Sequence, residues 1–212
     1  MRPLLVATTN PAKLEEYRLL LGEHGLEPIS LAQAGVDDHA PAENGATFAE
    51  NALHKARFYF ARAGMPTLAD DGGLEVDALG GEPGVRSHRW LESSVAATGA
   101  DLDRALAEEV IRRMEAIEPA RRGARIRAAV ALVHHNHGSV RERHAEAAIE
   151  GVIADRVWPQ MRGGFPFRAV LFLPKQGCYL AQLPDEEAAR LSQRRLALEG
   201  LRSELALIAG SR

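Results

Sequence analysis

A strand, a polar turn and a helix follow one another at the start of the chain, and this order limits the fold more than any other feature. Leu4–Ala7 is a short apolar run that predicts a buried strand. Asn10 is a favoured residue for a helix N-cap and Pro11 suits the first helical position, so we expect a helix to begin there. A strand that leads directly into a helix is typical of α/β proteins.

The turn between that strand and helix carries Thr8, Thr9, Asn10 and Lys13. Hydroxyl, amide and ammonium groups beside the N–H groups of a helix N-terminus are suited to bind phosphate. The turn lacks the glycines of a P-loop, so an ordinary strand–helix connection with a surface lysine also explains it.

The rest of the chain continues to alternate strands and helices, without a repeat or a linker. Thr47 and Glu50 have the spacing of a capping box, which predicts the start of a second helix that Gly64 ends. The spacing of apolar residues predicts strands at 67–69, 74–78, 126–132, 145–153 and 169–173, and helices at 101–117 and 198–208. The pattern indicates an α/β fold with a mixed sheet.

Two adjacent aspartates, Asp70 and Asp71, directly follow the predicted strand at 67–69. Carboxylates side by side at the edge of a core repel each other, so either a positive group binds them or the turn is solvated. Mg²⁺ takes carboxylate oxygens and suits phosphate substrates, and Glu43 is a further acid just before the second helix. A surface turn of the sequence Asp-Asp-Gly-Gly is the alternative.

Composition argues against several other classes of protein. The chain has 26 basic and 29 acidic residues in 212, a net charge of −3, which argues against a large basic face that binds a nucleic acid polymer. Its N-terminal apolar run is too short for a signal peptide or a membrane span. Cys178 is the single cysteine, which suits a reducing compartment, so we expect a cytoplasmic protein. The histidine-rich run at 134–137 predicts a solvated turn rather than a metal site.

Three segments of the first half resemble the motifs of one family, the inosine triphosphatase-like (Ham1) pyrophosphatases, which act on non-standard purine nucleoside triphosphates. VATTNPAKLEE resembles the opening motif, with Thr9 in place of a glycine, and ENGATFAENALHKA resembles the second motif. LADDGGLEVDALGGEPGVRSHRW resembles the third, with Gly72 where a serine is usual and Arg86 where an aromatic residue is usual. The resemblance spans almost the whole chain.

The resemblance implies a role for each motif. It implies that Asp71 is the general base and a Mg²⁺ ligand, and that Lys13 and Lys55 hold phosphate oxygens. A water molecule positioned by Asp71 would attack the α-phosphorus and release pyrophosphate. The implied metal ligands are Glu43, Asp70 and Asp71. The implied substrate-binding residues are Thr8, Thr9, Asn10, Lys13, Lys55, Gly72, Phe165, Pro166, Phe167, Arg168, Gln193 and Arg194.

The C-terminal third departs from the family pattern where the family binds the nucleobase. Residues 164–169 read GFPFRA in place of the family's GFGYDP, so Arg168 replaces an aspartate. Ala188 stands in place of a lysine, and Gln193 in place of the histidine of a Ser-His-Arg motif. These differences bear on which base is bound.

We therefore expect one pyrophosphatase domain over residues 1–212, with a long mixed central sheet flanked by helices and two lobes with the active cleft between them. By resemblance it hydrolyses ITP, dITP and XTP to the monophosphate and pyrophosphate with Mg²⁺, as a homodimer, without a nucleic acid or membrane partner. Two alternatives stay open: the same hydrolysis on a different nucleobase, and a nucleotide-binding protein with little turnover.

Overall fold

Seven strands form one mixed sheet in the computed structural model, which describes residues 1–37, 39–91 and 98–210. The strands are β1 (Arg2–Val6), β2 (Leu26–Ile29), β3 (Thr67–Val76), β4 (Gly123–Asn136), β5 (Ser139–Ile153), β6 (Leu171–Leu173) and β7 (Cys178–Tyr179). They hydrogen-bond in the order β2-β1-β3-β4-β5-β6-β7. β1 is parallel to β2 and β3, whereas β6 is antiparallel to β5 and β7. The predicted mixed sheet is confirmed.

The described residues form six α-helices, and the first two begin at the predicted N-caps, Asn10 and Thr47. They are α1 (Pro11–Gly22), α2 (Phe48–Ala63), α3 (Gly99–Met114), α4 (Asp185–Leu191), α5 (Gln193–Gly200) and α6 (Arg202–Gly210). The hydroxyl of Thr47 accepts the N–H of Glu50 at 3.1 Å, as the capping box predicts. The carboxylate of Glu50, however, accepts the N–H of Ala46 rather than that of Thr47. None of these helices combines the length and the apolar character needed to cross a lipid bilayer.

β3 passes through the two adjacent aspartates as one strand of ten residues. The predicted interruption between 69 and 74 is therefore wrong, and so is the surface turn considered for the aspartates. Asp70 is 2% exposed and Asp71 is 8% exposed. Both carboxylates lie in the interior of the protein, where an unpaired charge is strongly unfavourable.

The first of two compact units takes its residues from Met1–Asp71, Ala128–Ala147 and Arg194–Arg212. Its core consists of apolar side chains from the sheet and from α1, α5 and α6, among them Tyr17, Leu21, Leu68, Leu132, Leu198 and Leu205. In β4, which includes the predicted strand at 126–132, the run from Ala128 to Val133 is buried at every position. The predicted closing helix is divided at Leu201 into α5 and α6.

The second unit consists of Gly72–Arg127 and Ala148–Gln193 and has a core of its own. That core combines one face of α3 with the sheet and the segment after residue 164, among them Leu106, Val110, Ile153, Phe167 and Val170. Arg125, on the exposed side of β4, is 2.7 Å from Asp77 and 3.1 Å from Glu150. The basic run at 121–127 thus includes a side chain engaged with acids within this unit.

Candidate functional site

Three cationic side chains of the first unit converge on Asp70. The Lys13 ammonium lies 3.0 Å from Oδ2 of Asp70, and the Arg194 guanidinium Nε lies 2.9 Å from the same oxygen. The Lys55 ammonium donates to the backbone carbonyl oxygen of Asp70 at 3.2 Å. Glu16 also accepts from Arg194, at 3.1 Å. A chain segment from each of α1, α2, β3 and α5 therefore contributes to one charged cluster.

Burial and neighbouring charges shift the pKa values of the residues in this cluster. The side chains of Asp70 and Arg194 are 1% and 4% exposed. Burial alone would raise the pKa of Asp70, but Lys13 and Arg194 outweigh it and hold that pKa well below its usual range. Burial lowers the pKa of Lys13, and the attraction of Asp70 opposes this shift. Asp70 therefore remains ionised, and its charge keeps two buried cations in place.

The carboxylate of Asp71 is held by an amide from the second helix. Nδ2 of Asn51 donates to Oδ2 of Asp71 at 2.9 Å, and Oδ1 of Asn51 accepts the N–H of Gly45 at 2.7 Å. A Cβ atom at Gly45 would lie 2.6 Å from Oδ1 of Asn51, so a residue without a side chain is required there. Asn51 thus connects the loop before α2 to the acid on β3.

Asp71 and Glu43 are two acids that both interact with Lys55. Burial raises the pKa of Asp71; Lys55 opposes that rise, and the neighbouring charge of Glu43 adds to it. Burial would lower the pKa of Lys55, but the carboxylates of Glu43 and Asp70 outweigh it and raise that pKa. Glu43 and Lys55 form an ion pair. Because the charge of Glu43 disfavours the ionised form of Asp71, a further cation beside these two carboxylates would be favourable.

The turn between β1 and α1 is closed by its own side chains. The hydroxyl of Thr8 accepts the N–H of Asn10 at 3.1 Å. Oδ1 of Asn10 accepts the N–H groups of Ala12 and Lys13, at 2.9 and 3.3 Å. Thr9 is exposed. The backbone N–H groups predicted to face a phosphate are therefore bonded within the turn, and Lys13 offers its ammonium group instead.

The remaining predicted residues belong to the second unit, where the segment around 164–169 is a tight turn. Pro166 and Phe167 are buried, whereas Phe165 and Arg168 are half-buried. The guanidinium of Arg168 lies over the ring of Phe165, 4.3 Å from its centroid, in a cation–π contact. Pro166 and Phe167 therefore pack in the core, whereas Phe165 and Arg168 remain partly exposed to solvent. Gly72 is half-buried on β3.

Gln193, at the start of α5, is 3% exposed. Among the residues that the structure describes, none donates a hydrogen bond to its Oε1 atom. Buried acceptors without a partner are rare in folded proteins, and each needs an explanation. A bound molecule with a donor group would supply one. Ala188 is buried as well, at 8% exposed.

The sequence pattern that defines the Ham1 family matches residues 4–204 of this chain. The chain belongs to the Ham1 family. It is 37% identical over 209 residues to the dITP/XTP pyrophosphatase of Methylococcus capsulatus, with 99% of this chain and 98% of that protein covered. It is 39% identical over 205 residues to the dITP/XTP pyrophosphatase of Xanthomonas campestris, with 97% and 98% covered.

A solved structure of a Ham1 protein from Coxiella burnetii has the same fold. Its TM-score with this chain is 0.79 at 31% identity, and 97% of this chain and 98% of that one are covered. The α/β fold with a long mixed sheet, predicted from the sequence, is the fold of the Ham1 family.

Asn51, which donates to Asp71, and Glu16, which accepts from Arg194, were not among the predicted site residues. Asn51 lies four positions before Lys55 on α2, so helical spacing places both side chains on one face of the helix. That spacing could have indicated Asn51. Glu16 reaches Arg194 from a position 178 residues away, and no local pattern indicates such a contact.

Proposed function

We propose that this Ham1 protein hydrolyses non-standard purine nucleoside triphosphates, of the dITP, XTP and ITP type, to the nucleoside monophosphate and pyrophosphate. The observation that carries the proposal is the convergence of Lys13, Lys55 and Arg194 on buried Asp70, next to the acid pair of Asp71 and Glu43. The names of the curated relatives support the substrate class.

The cations serve the triphosphate. The side chains of Lys13 and Lys55 are largely buried but keep 11% and 13% exposure, and acids hold the charge of both ammonium groups. A triphosphate brings several negative charges, and ammonium groups bind phosphate oxygens as point charges. Asp70 acts as the anchor of this arrangement, because Lys13 and Arg194 already engage its side chain. We therefore assign the predicted metal ligation to Asp71 and Glu43 and give Asp70 a positioning role.

The acids fit a magnesium ion. Among the residues that the structure describes, no three His, Cys, Asp or Glu side chains are gathered as a protein metal site. Mg²⁺ commonly takes only one or two protein carboxylates and completes its coordination with waters and substrate phosphates. Asp71 and Glu43 provide such a pair. When bound there, the ion would neutralise phosphate charge as the leaving group departs.

Asp71 is placed to accept a proton. Its raised pKa makes the carboxylate a better base than an exposed aspartate, and the amide of Asn51 fixes its orientation at 2.9 Å. In the proposed step, Asp71 accepts a proton from water as the water oxygen bonds to the α-phosphorus. The bond from the α-phosphorus to the bridging oxygen breaks, and pyrophosphate leaves with that electron pair.

Phe165, Arg168 and Gln193 are the proposed base-binding residues of this chain. Phe165 provides a half-buried aromatic ring, and Arg168, which only donates hydrogen bonds, suits the 6-oxo group of a purine. The unpartnered Oε1 of Gln193 suits an N–H donor such as N1–H of a 6-oxopurine. Pro166 and Phe167 shape the turn from within the core.

A substrate panel tests the proposal. The purified protein is incubated with Mg²⁺ and, in turn, dITP, XTP, ITP, dATP, ATP and GTP, and pyrophosphate release is measured for each. Higher kcat/KM for the 6-oxo non-standard purines than for ATP is the expected result. Efficient pyrophosphate release from a triphosphate with a different base would favour hydrolysis of that nucleotide instead. Nucleotide binding without pyrophosphate release would favour the alternative of a nucleotide-binding protein with little turnover.

Two further expectations accompany the proposal. The resemblance implies a homodimer, which light scattering coupled to size-exclusion chromatography tests directly. A single cysteine suits the reducing cytoplasm as the place where such a nucleotide hydrolase would work.

A further inference from the structure

A buried acid on α3 contacts the turn that carries Phe165. Oδ2 of Asp103 accepts the backbone N–H of Gly164 at 2.6 Å. Asp103 is 8% exposed, so its carboxylate is largely withdrawn from solvent. A hydrogen bond from a backbone N–H to a carboxylate is charge-assisted, and such bonds are stronger than those between neutral groups.

The contact falls at the residue where the backbone changes direction. Gly164 has a φ of +77°, in the left-handed region that residues with a side chain rarely adopt. The turn continues with the N–H of Arg168 bonded to the carbonyl of Phe165 at 3.2 Å. Since Phe165 directly follows Gly164, any displacement of the Gly164 peptide is passed to the aromatic ring.

We infer that Asp103 is the positioning residue for nucleobase recognition in this protein: its carboxylate fixes the Gly164 peptide and thereby the ring of Phe165 and the guanidinium stacked on it. This inference rests on the proposed function, in which Phe165 and Arg168 contact the base. Asp103 itself does not touch the substrate. It acts through the backbone of the turn.

The inference predicts that Asp103 matters for the base and not for the phosphates. The phosphate-binding cations Lys13, Lys55 and Arg194 belong to the first unit, whereas Asp103 and Gly164 belong to the second. A ligand without a base should therefore bind equally well with or without the Asp103 carboxylate. A ligand with a base should lose affinity when it is removed.

The variant Asp103→Ala tests this with two probes, IMP and inorganic triphosphate. Calorimetry on the full-length protein should show IMP binding weakened by about tenfold, because the Gly164 N–H loses its acceptor. Inorganic triphosphate should bind within about twofold of the unmodified protein, since a hydrogen bond that it does not use contributes nothing to its affinity. In turnover of dITP, KM should rise by about tenfold with kcat nearly unchanged, as expected for a loss of binding shared by ground and transition states.

Asp101→Ala is the matched control. Asp101 is an exposed acid in the first turn of the same helix, with the same charge. Its removal should change neither probe. Asp103→Asn keeps the side-chain volume and an oxygen acceptor, so it should restore most of the affinity for IMP.

Equal weakening of IMP and triphosphate in Asp103→Ala would overturn the inference, because Asp103 would then support the fold in general. Unchanged IMP binding would overturn it too. If circular dichroism shows the alanine variant unfolded, Asp103→Ser replaces it in the comparison, because the shorter serine side chain does not place an oxygen at the position of Asp103 Oδ2, and equal weakening of the two probes there is the contrary result. Absence of pyrophosphate release from every triphosphate in the unmodified protein would instead overturn the proposed function, and this inference with it.

Discussion

The guanidinium of Arg194 lies 2.9 Å from the carboxylate of Asp70, although the two residues are 124 positions apart in the chain. Both side chains are almost fully buried, and Lys13 binds the same carboxylate oxygen. One aspartate thus holds two buried cations that come from opposite ends of the sequence. The Asp70–Arg194 ion pair therefore stabilises the tertiary structure. It also positions the cations of the proposed phosphate-binding site.

Asp70→Asn should destabilise the protein strongly. The substitution leaves the charges of Lys13 and Arg194 without their shared carboxylate, and breaking a buried ion pair costs about 3–5 kcal/mol. Urea unfolding followed by circular dichroism would measure the loss. A matched control is Glu142→Gln, which breaks the exposed pair of Glu142 with Arg57 and should cost less than about 1 kcal/mol. Equal losses in the two variants would contradict the anchoring role of Asp70.

Asp71→Asn should abolish turnover and leave the fold in place. Asparagine is nearly the same shape, but it is a poor base and a neutral metal ligand, so we expect at least about 10²-fold lower kcat. Pyrophosphate release from dITP measures the effect, and circular dichroism verifies the fold. Near-normal release from this variant would remove Asp71 from its proposed role as the base.

The sequence predicted the elements of the fold better than the interior of the site. Asn10 and Thr47 mark the helix starts because caps are local features. β3 was misread because Asp70 and Asp71 are polar residues in a buried strand, and only distant partners make that possible. No local pattern shows that Arg194 and Lys13 neutralise Asp70. His134 was predicted in a solvated turn, but it is buried on β4 against Glu204, at 2.9 Å.

A chelator should remove the activity, and added Mg²⁺ should restore it. Glu43→Gln should raise the Mg²⁺ concentration needed for half-maximal activity, because an amide oxygen carries no charge for the ion. The control is Glu50→Gln in the same region, whose amide oxygen can still accept the N–H of Ala46. Its Mg²⁺ requirement should equal that of the unmodified protein. Full activity in excess chelator would exclude the metal from the reaction.

Glu109 on α3 should stabilise the protein in a pH-dependent way. Hydrogen bonds from Arg112 and then Arg113 hold the pKa of Glu109 at about 2, below the ordinary value of 4.5. Because the folded-state pKa is depressed, this stabilisation is complete above pH 4.5 and is lost as the pH falls toward 2.

Urea unfolding of Glu109→Gln across this pH range checks the prediction. The difference in unfolding free energy from the unmodified protein should shrink steadily between pH 5 and 3, since the wild-type carboxylate takes up a proton on unfolding there. Glu108→Gln, which alters an exposed pair with Arg104 at 3.9 Å, should show little difference at any pH. A difference for Glu109→Gln that stays constant with pH would contradict the ionic origin of the effect.

Arg168→Ala should lower kcat/KM for ITP more than for ATP. The guanidinium of Arg168 is stacked on Phe165 and can only donate hydrogen bonds. The 6-oxo group of ITP accepts such a bond, whereas the 6-amino group of ATP presents a donor. A hydrogen bond from a charged group contributes about 1.5–3 kcal/mol, so the loss for ITP should be about tenfold or more.

Arg168→Lys distinguishes the proposed hydrogen bond to the 6-oxo group from the stacking of Arg168 on Phe165. Lysine keeps the charge and a donor but loses the planar group over Phe165, so its kcat/KM for ITP should lie between those of the unmodified protein and Arg168→Ala. Equal loss for ITP and ATP in Arg168→Ala would mean that Arg168 serves the phosphates or faces solvent. If the unmodified protein uses ITP no better than ATP, the 6-oxo assignment fails. Hydrolysis of a nucleotide with a different base then takes its place, because Arg168 and Gln193 are among the implied base-binding positions at which the sequence differs from the family motifs.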